Sequence, residues 1–240
     1  VRLDKGHVPC KNREKGPPGG GRRERSAGVA SAGLQGIALA TMVVDHVGLA
    51  FFPEAVWLRW VGRVSFPLFL FLLSEGFVHT SHRRRYALRL ALFALVSEGP
   101  YQLFVYGGFR ALPCQNVFFA LLCALLALGC VERGGLWWLG GAGLAVAAEL
   151  LGMDYGAYGI LLAVCFFLFR GSLPGTVASL GACTGAYCLA HQGWVQGWAI
   201  AAAVPLALYN GERGRRLRRY VVYGFYPAHL LLLGLLRWWG

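Results

Sequence analysis

Negative charge is scarce in this chain. Eleven acidic residues face 23 basic ones among 240, and charged residues of both signs make up only 14%. A soluble domain carries about 25%, so an ordinary water-facing surface is excluded. Lysine is confined to Lys5, Lys11 and Lys15. The seven cysteines lack CxxC or Cys/His metal spacing. Four of them (Cys123, Cys165, Cys183 and Cys188) lie in apolar runs, where cysteine behaves as a small hydrophobe, so neither a disulfide framework nor a metal site is predicted. No internal repeat or matched pair of halves is visible, which argues against many secondary-transporter folds. Residues 1–32 lack an apolar core. They read as a disordered basic cytoplasmic tail, with no cleavable signal peptide ahead of the first apolar run.

What the chain has instead is hydrophobic sequence, 57% of its residues. Apolar runs occupy roughly 34–52, 56–78, 86–106, 116–131, 136–152, 156–170, 174–191, 194–209 and 220–239, against the roughly 17–25 residues a helix needs to cross a bilayer core. The predicted fold is all-α: a polytopic transmembrane bundle over residues 33–240 with about nine spans, seven to ten being compatible with the run lengths. The formal charge of +12 does not point to nucleic acid, because the arginines cluster between apolar runs. With the N-terminus cytoplasmic, Arg22, Arg23, Arg25, Arg83, Arg84, Arg85, Arg89, Arg133, Arg170 and the Arg213–Arg219 cluster fall inside, leaving Arg59, Arg63, Arg110 and Arg237 outside. This is a strong positive-inside pattern.

The polar residues within these runs divide between two faces. Towards the outside lie Asp45, His46, Arg59, Arg63, Glu98, Gln115, Asn116, Asp154 and Tyr155; towards the inside lie Glu75, His79 and the Arg83–Arg89 cluster. An aspartate near a helix centre costs roughly 2.5–3.5 kcal/mol to insert, so Asp45 beside His46 marks a polar interior site. His46 suits a general base at neutral pH. Asp45 lies about 100° further round the helix, so Glu98 or Asp154 is the better orienting carboxylate. Arg59 and Arg63 share one helix face; Asp45 or Glu98 could pair with Arg63, which could otherwise clamp an oxyanion. Pro67 should kink the second run, and Glu98-Gly99-Pro100 reads as a carboxylate before a helix break. Arg85 and Arg89, beside Arg83 and Arg84, form either a topological anchor or a phosphate cradle, for which coenzyme A is the obvious ligand. His229, after Pro227, again joins a kink to an ionisable group. A proton-coupled transporter and a non-catalytic scaffold for conjugation or secretion machinery are the rival readings.

Across nearly everything after the tail, the chain resembles the TraX family. The stretches carrying the resemblance are Ala40-Thr-Met-Val-Val-Asp-His-Val-Gly, Gly62-Arg-Val-Ser-Phe-Pro-Leu-Phe-Leu-Phe, Glu75-Gly-Phe and Tyr86-Ala-Leu-Arg-Leu-Ala-Leu-Phe-Ala-Leu-Val-Ser-Glu, followed by Gln115-Asn-Val-Phe-Phe, Asp154-Tyr-Gly-Ala-Tyr-Gly and Tyr223-Gly-Phe-Tyr-Pro-Ala-His-Leu. The resemblance implies a bacterial inner-membrane acetyltransferase of the kind that acetylates a pilin N-terminus, similar to multi-span enzymes that acetylate sugars. It also implies a catalytic histidine at His46 and an acyl-CoA-binding Arg-x-x-x-Arg pair at Arg85 and Arg89. On this reading acetyl-CoA is the co-substrate, held by Arg83, Arg85 and Arg89, and no metal takes part. The acceptor is a pilin-like protein or a glycan on the outer side. Arg63 or Asn116 stabilises the oxyanion, and Glu98 or Asp154 orients the imidazole.

Overall fold

Helical periodicity wins in every apolar run. The computed structural model describes residues 28–109, 116–214 and 219–240, with only the backbone of Arg219. The expectations for residues 1–27, Arg110, Cys114, Gln115 and Arg215, Arg216 and Arg218 lie outside the described residues. The nine runs become α1 (Ser31–Phe51), α2 (Val56–Gly62) with α3 (Ser65–His79), α4 (Arg83–Tyr106), α5 (Val117–Arg133), α6 (Trp137–Leu150), α7 (Gly156–Leu168), α8 (Leu173–His191), a 3₁₀ segment (Trp194–Ala202) running into α9 (Ala203–Ala207), and α10 (Arg219–Trp239). Among the described residues the only β-type pairing is an isolated bridge between Val29 and Tyr209.

Among the described residues, three helical stretches are long and apolar enough to cross a membrane: Ser31–Phe51, Val56–His79 and Tyr220–Trp239. The remaining segments fall short of that standard in length or apolarity. α6 has 14 residues and α7 has 13, which at about 1.5 Å per residue is less than the roughly 30 Å of a bilayer core.

Two expected breaks fall elsewhere. The second run is interrupted at Arg63–Val64 rather than at Pro67, which occupies the first turn of α3, where a missing N–H costs nothing. Nor does α4 break at Pro100; it continues to Tyr106 and ends on Gly107 at φ 69, whose N–H donates to the Leu103 carbonyl at 2.9 Å. α10 runs through Pro227 in the same way, and the two helices pack along one another. Neighbouring helices sustain such interruptions when the bundle is buried.

α4 differs from a soluble helix in carrying large apolar residues on its outer face as well as its inner one. Leu88, Leu92, Leu95 and Val96 face outward at 52–68% exposure, while Ser97 and Gln102 are buried. An apolar outer face over polar inner contacts suits lipid, not water. Inside, α1 packs on α2, α3 and α10, α4 packs on α5 and α10, and α3 packs on α5 and α7. The first described residues join this frame: Val29 donates to the Leu208 carbonyl (2.7 Å), Asn210 to Val29 (3.1 Å) and Ser31 to Glu212 (2.8 Å). Residues 28–32, expected in the tail, thus belong to the fold.

Candidate functional site

Asp45 and His46 are neighbours in sequence but face different partners, because one residue of helix turns the side chain by about 100°. Asp45 faces α2 and the turn that follows it. Both of its carboxylate oxygens accept from Arg63 Nη2, at 2.7 and 2.8 Å, and Arg59 Nη1 stands 3.4 Å from Oδ2. Arg63 Nη1 reaches Gln196 Oε1 at 3.4 Å, and its guanidinium carbon lies 5.8 Å from the Tyr155 ring centroid. Of the two partners open to Arg63, the fold selects Asp45. This leaves Arg63 as half of a buried ion pair.

His46 faces α10. Its Nδ1 lies 2.7 Å from Nε2 of His229, and His229 Nδ1 lies 2.9 Å from the Phe225 carbonyl oxygen. The two rings are inclined by only 19° with centroids 4.9 Å apart, the arrangement of an in-plane N–H···N bond. Phe104 meets His46 edge-on at 5.3 Å and Tyr226 stands 6.3 Å away. The imidazole therefore has a histidine as its hydrogen-bond partner, not the carboxylate of Glu98 or Asp154.

Glu98 is engaged elsewhere, accepting from Gln102 Nε2 at 2.9 Å and from Asn116 Nδ2 at 2.6 Å. Asn116 also donates to the Ala94 carbonyl at 2.9 Å, and its Oδ1 caps α5 by accepting from the Phe118 N–H at 3.1 Å. Both amide hydrogens are thereby used to hold α4 to the start of α5, so this residue has none left for an oxyanion. Asp154 lies just before α7, where Tyr155 adopts the left-handed conformation at φ 63 and stacks on Phe66 at 3.7 Å. Burial pushes the Asp154 carboxyl up to about 6, with Arg63 pulling the other way.

Two adjoining cavities lead to this cluster. The larger, about 290 Å³, follows α1 from Ser31 to Met42, roughly 16 Å at 1.5 Å per residue. Glu75, His79, Tyr209 and Arg213 lie towards its Ser31 end, and Leu39, Leu72, Leu73, Leu90 and Leu121 line it further along. The smaller, about 40 Å³, is walled by Asp45, His46, Asp154 and Tyr155. Both touch Met42, Phe69, Val117 and Tyr226. The larger cavity is mainly apolar, and it abuts a small chamber into which Asp45, His46 and Asp154 bring the ionisable groups.

The arginines expected to hold phosphate do not line the larger cavity. Arg83 is paired through both terminal nitrogens with Glu132 and lies 4.1 Å from the Phe77 ring centroid. Arg85 is exposed. Arg89 lies 5.5 Å from the ring centroid of Tyr86, which does line it. Sequence reasoning singled out His229 without pairing it, and gave no special role to Tyr226 or Arg213. The available signal was two histidines deep in apolar runs, each costly to bury alone.

Residues 30–237 match the protein-family model described as TraX protein. The chain is 30% identical over 228 residues to the probable fimbrial assembly protein FimC, serogroup H1, of Dichelobacter nodosus, covering 83% of this chain and 92% of that protein. It is 29% identical over 215 residues to protein TraX of Escherichia coli, covering 85% of each. No solved structure matches the chain.

Proposed function

This chain belongs to the TraX family, and on that premise we propose that it is an integral inner-membrane acetyltransferase, moving an acetyl group from cytoplasmic acetyl-CoA to an amine or hydroxyl at the opposite face. One observation carries this reading: His46 walls a small chamber, with Asp45 and Asp154, that abuts a larger cavity reaching Ser31 and Arg213. A volume near 290 Å³, mainly apolar, suits a thioester-bearing arm. Arg213 and His79 stand at the mouth for phosphate. The arginine asymmetry supports a cytoplasmic mouth and a multi-pass topology.

In the chamber, His46 takes the proton of the acceptor amine or hydroxyl as its lone pair attacks the thioester carbonyl. The new N–C or O–C bond forms, the C–S bond breaks, and His46 returns the proton to the departing thiolate. Asp154, on the same wall, is the carboxylate assigned to counter the positive charge that His46 carries in between, Asp45 being held by Arg63. A pilin-like N-terminus or a surface glycan is the acceptor, reaching the chamber from the outer face. Membranes carrying the protein, supplied with labelled acetyl-CoA, should transfer label, and His46→Ala should lower the rate by about 10²–10⁴-fold, the usual contribution of a general base.

The name of the Dichelobacter nodosus relative favours a second reading, a non-catalytic component of pilus assembly. That reading expects His46→Ala to leave assembly intact and coenzyme A unbound.

A further inference from the structure

We infer that His229 is a positioning residue that fixes the tautomer of His46, leaving His46 Nε2 as the bare, basic nitrogen. The Phe225 carbonyl can only accept, so His229 Nδ1, 2.9 Å away, must carry the proton. In the neutral ring that leaves His229 Nε2 as an acceptor. At 2.7 Å it takes its hydrogen bond from His46 Nδ1, which must therefore be protonated. The same rule applied to His46 leaves a lone pair on Nε2. The backbone of α10 thus determines, through two rings, which nitrogen of an α1 side chain can take a proton.

In acyl-transfer triads a buried carboxylate holds the histidine in its tautomer. Here a neutral imidazole does so, itself fixed by a carbonyl four residues earlier on the same helix. Among apolar neighbours this avoids burying another negative charge, which is costly at that depth. Near coplanarity of the rings also fixes the direction in which His46 presents its free edge. Tyr226 flanks both rings, and Phe104 meets His46 edge-on. α10 thereby becomes part of the reacting geometry.

The catalytic value of this arrangement rests on the acyl-transfer reading, but the tautomer does not. ¹⁵N NMR of histidine-labelled full-length protein in lipid, with His46 assigned by difference against His46→Gln, reads the ring nitrogens without any substrate. The expected spectrum has His46 Nδ1 protonated and Nε2 bare. His229→Leu should scramble this preference, and His229→Gln should restore it, since its amide oxygen can accept from His46 Nδ1. Acetyl transfer should fall by about 10²–10⁴-fold in the leucine variant and recover at least tenfold in the glutamine variant. A protonated His46 Nε2 in the unmodified protein overturns the inference, even if neither variant folds. An unchanged tautomer in a folded His229→Leu protein overturns it too. A correct tautomer in a protein that never transfers acetyl sinks the acyl-transfer reading and leaves the assignment to His229 standing.

Discussion

Gly62 lies directly against the side chain of Asp45, so closely that a Cβ built on Gly62 would overlap the carboxylate. Gly62 is the last residue of α2 and is itself buried. Its missing side chain is what lets α1 and α2 close until Asp45 and Arg63 can bond. Gly62→Ala cannot be relieved by the far end of a flexible chain, because Asp45 Cβ is among the atoms met. The substitution should destabilise the protein by about 1–3 kcal/mol, the usual cost of overpacking. Thermal unfolding in detergent measures this, and an unchanged midpoint would show that α2 can shift freely.

The Asp45–Arg63 pair should behave as one unit. Side-chain exposures of 9% and 14% put both charges out of bulk water. Removing Asp45 leaves Arg63 buried without its carboxylate, a loss of about 3–5 kcal/mol, and removing Arg63 leaves Asp45 with only the longer contact to Arg59. Asp45→Asn and Arg63→Gln should each be severe, whereas the double variant should lose much less than their sum. Arg59, at 3.4 Å and 27% side-chain exposure, should matter less. A double-mutant cycle on unfolding free energies gives the coupling, and strict additivity would mean that the two groups do not depend on each other.

The positions of these elements were readable to different depths. Run length and hydrophobicity were enough for most helices, because each apolar stretch has to satisfy its own backbone polar groups; the division of the second run at Arg63–Val64 and the 3₁₀ segment Trp194–Ala202 were not legible that way. Asp45 as a partner for Arg63 was one of two options, Glu98 being the other, and the fold decides between them. The His46–His229 bond joins residues 183 positions apart, and no local pattern encodes such a contact. Pro100 and Pro227 misled for the opposite reason: local propensity predicts a break, but the packing of α4 on α10 overrides it. The paired state of Arg83 was likewise hidden, since Glu132 lies 49 residues away.

Asp154 should give the protein a stability that depends on pH in a known direction. Its carboxyl is raised from 3.8 to about 6, chiefly by burial. Between those values the folded chain holds more protons at this site than the unfolded chain. Stability from this group is therefore fully present below about pH 4, falls as pH rises and levels off above about 6. Asp154→Asn should abolish this component, so the difference in midpoint between the variant and the unmodified protein should widen from pH 4 to 6 and then stay constant. Parallel curves across that range would place the titration elsewhere.

The last prediction separates two claims on the donor's phosphates. Arg83 already has Glu132 as a partner at roughly 40% exposure, and an exposed pair of that kind is worth about 0–1 kcal/mol. Arg213, by contrast, borders the larger cavity near Ser31, Glu75 and His79. If phosphate rests at that mouth, Arg213→Ala removes a charge-assisted hydrogen bond of about 1.5–3 kcal/mol and should raise KM for acetyl-CoA by about 10–100-fold, with kcat little changed. Arg83→Ala should stay within about twofold. A donor reduced to S-acetylpantetheine lacks the nucleotide and should not distinguish Arg213→Ala from the unmodified protein. A joint Arg85→Ala and Arg89→Ala variant that raises KM, while Arg213→Ala does not, would put the phosphates on α4 and require the mouth to be drawn there.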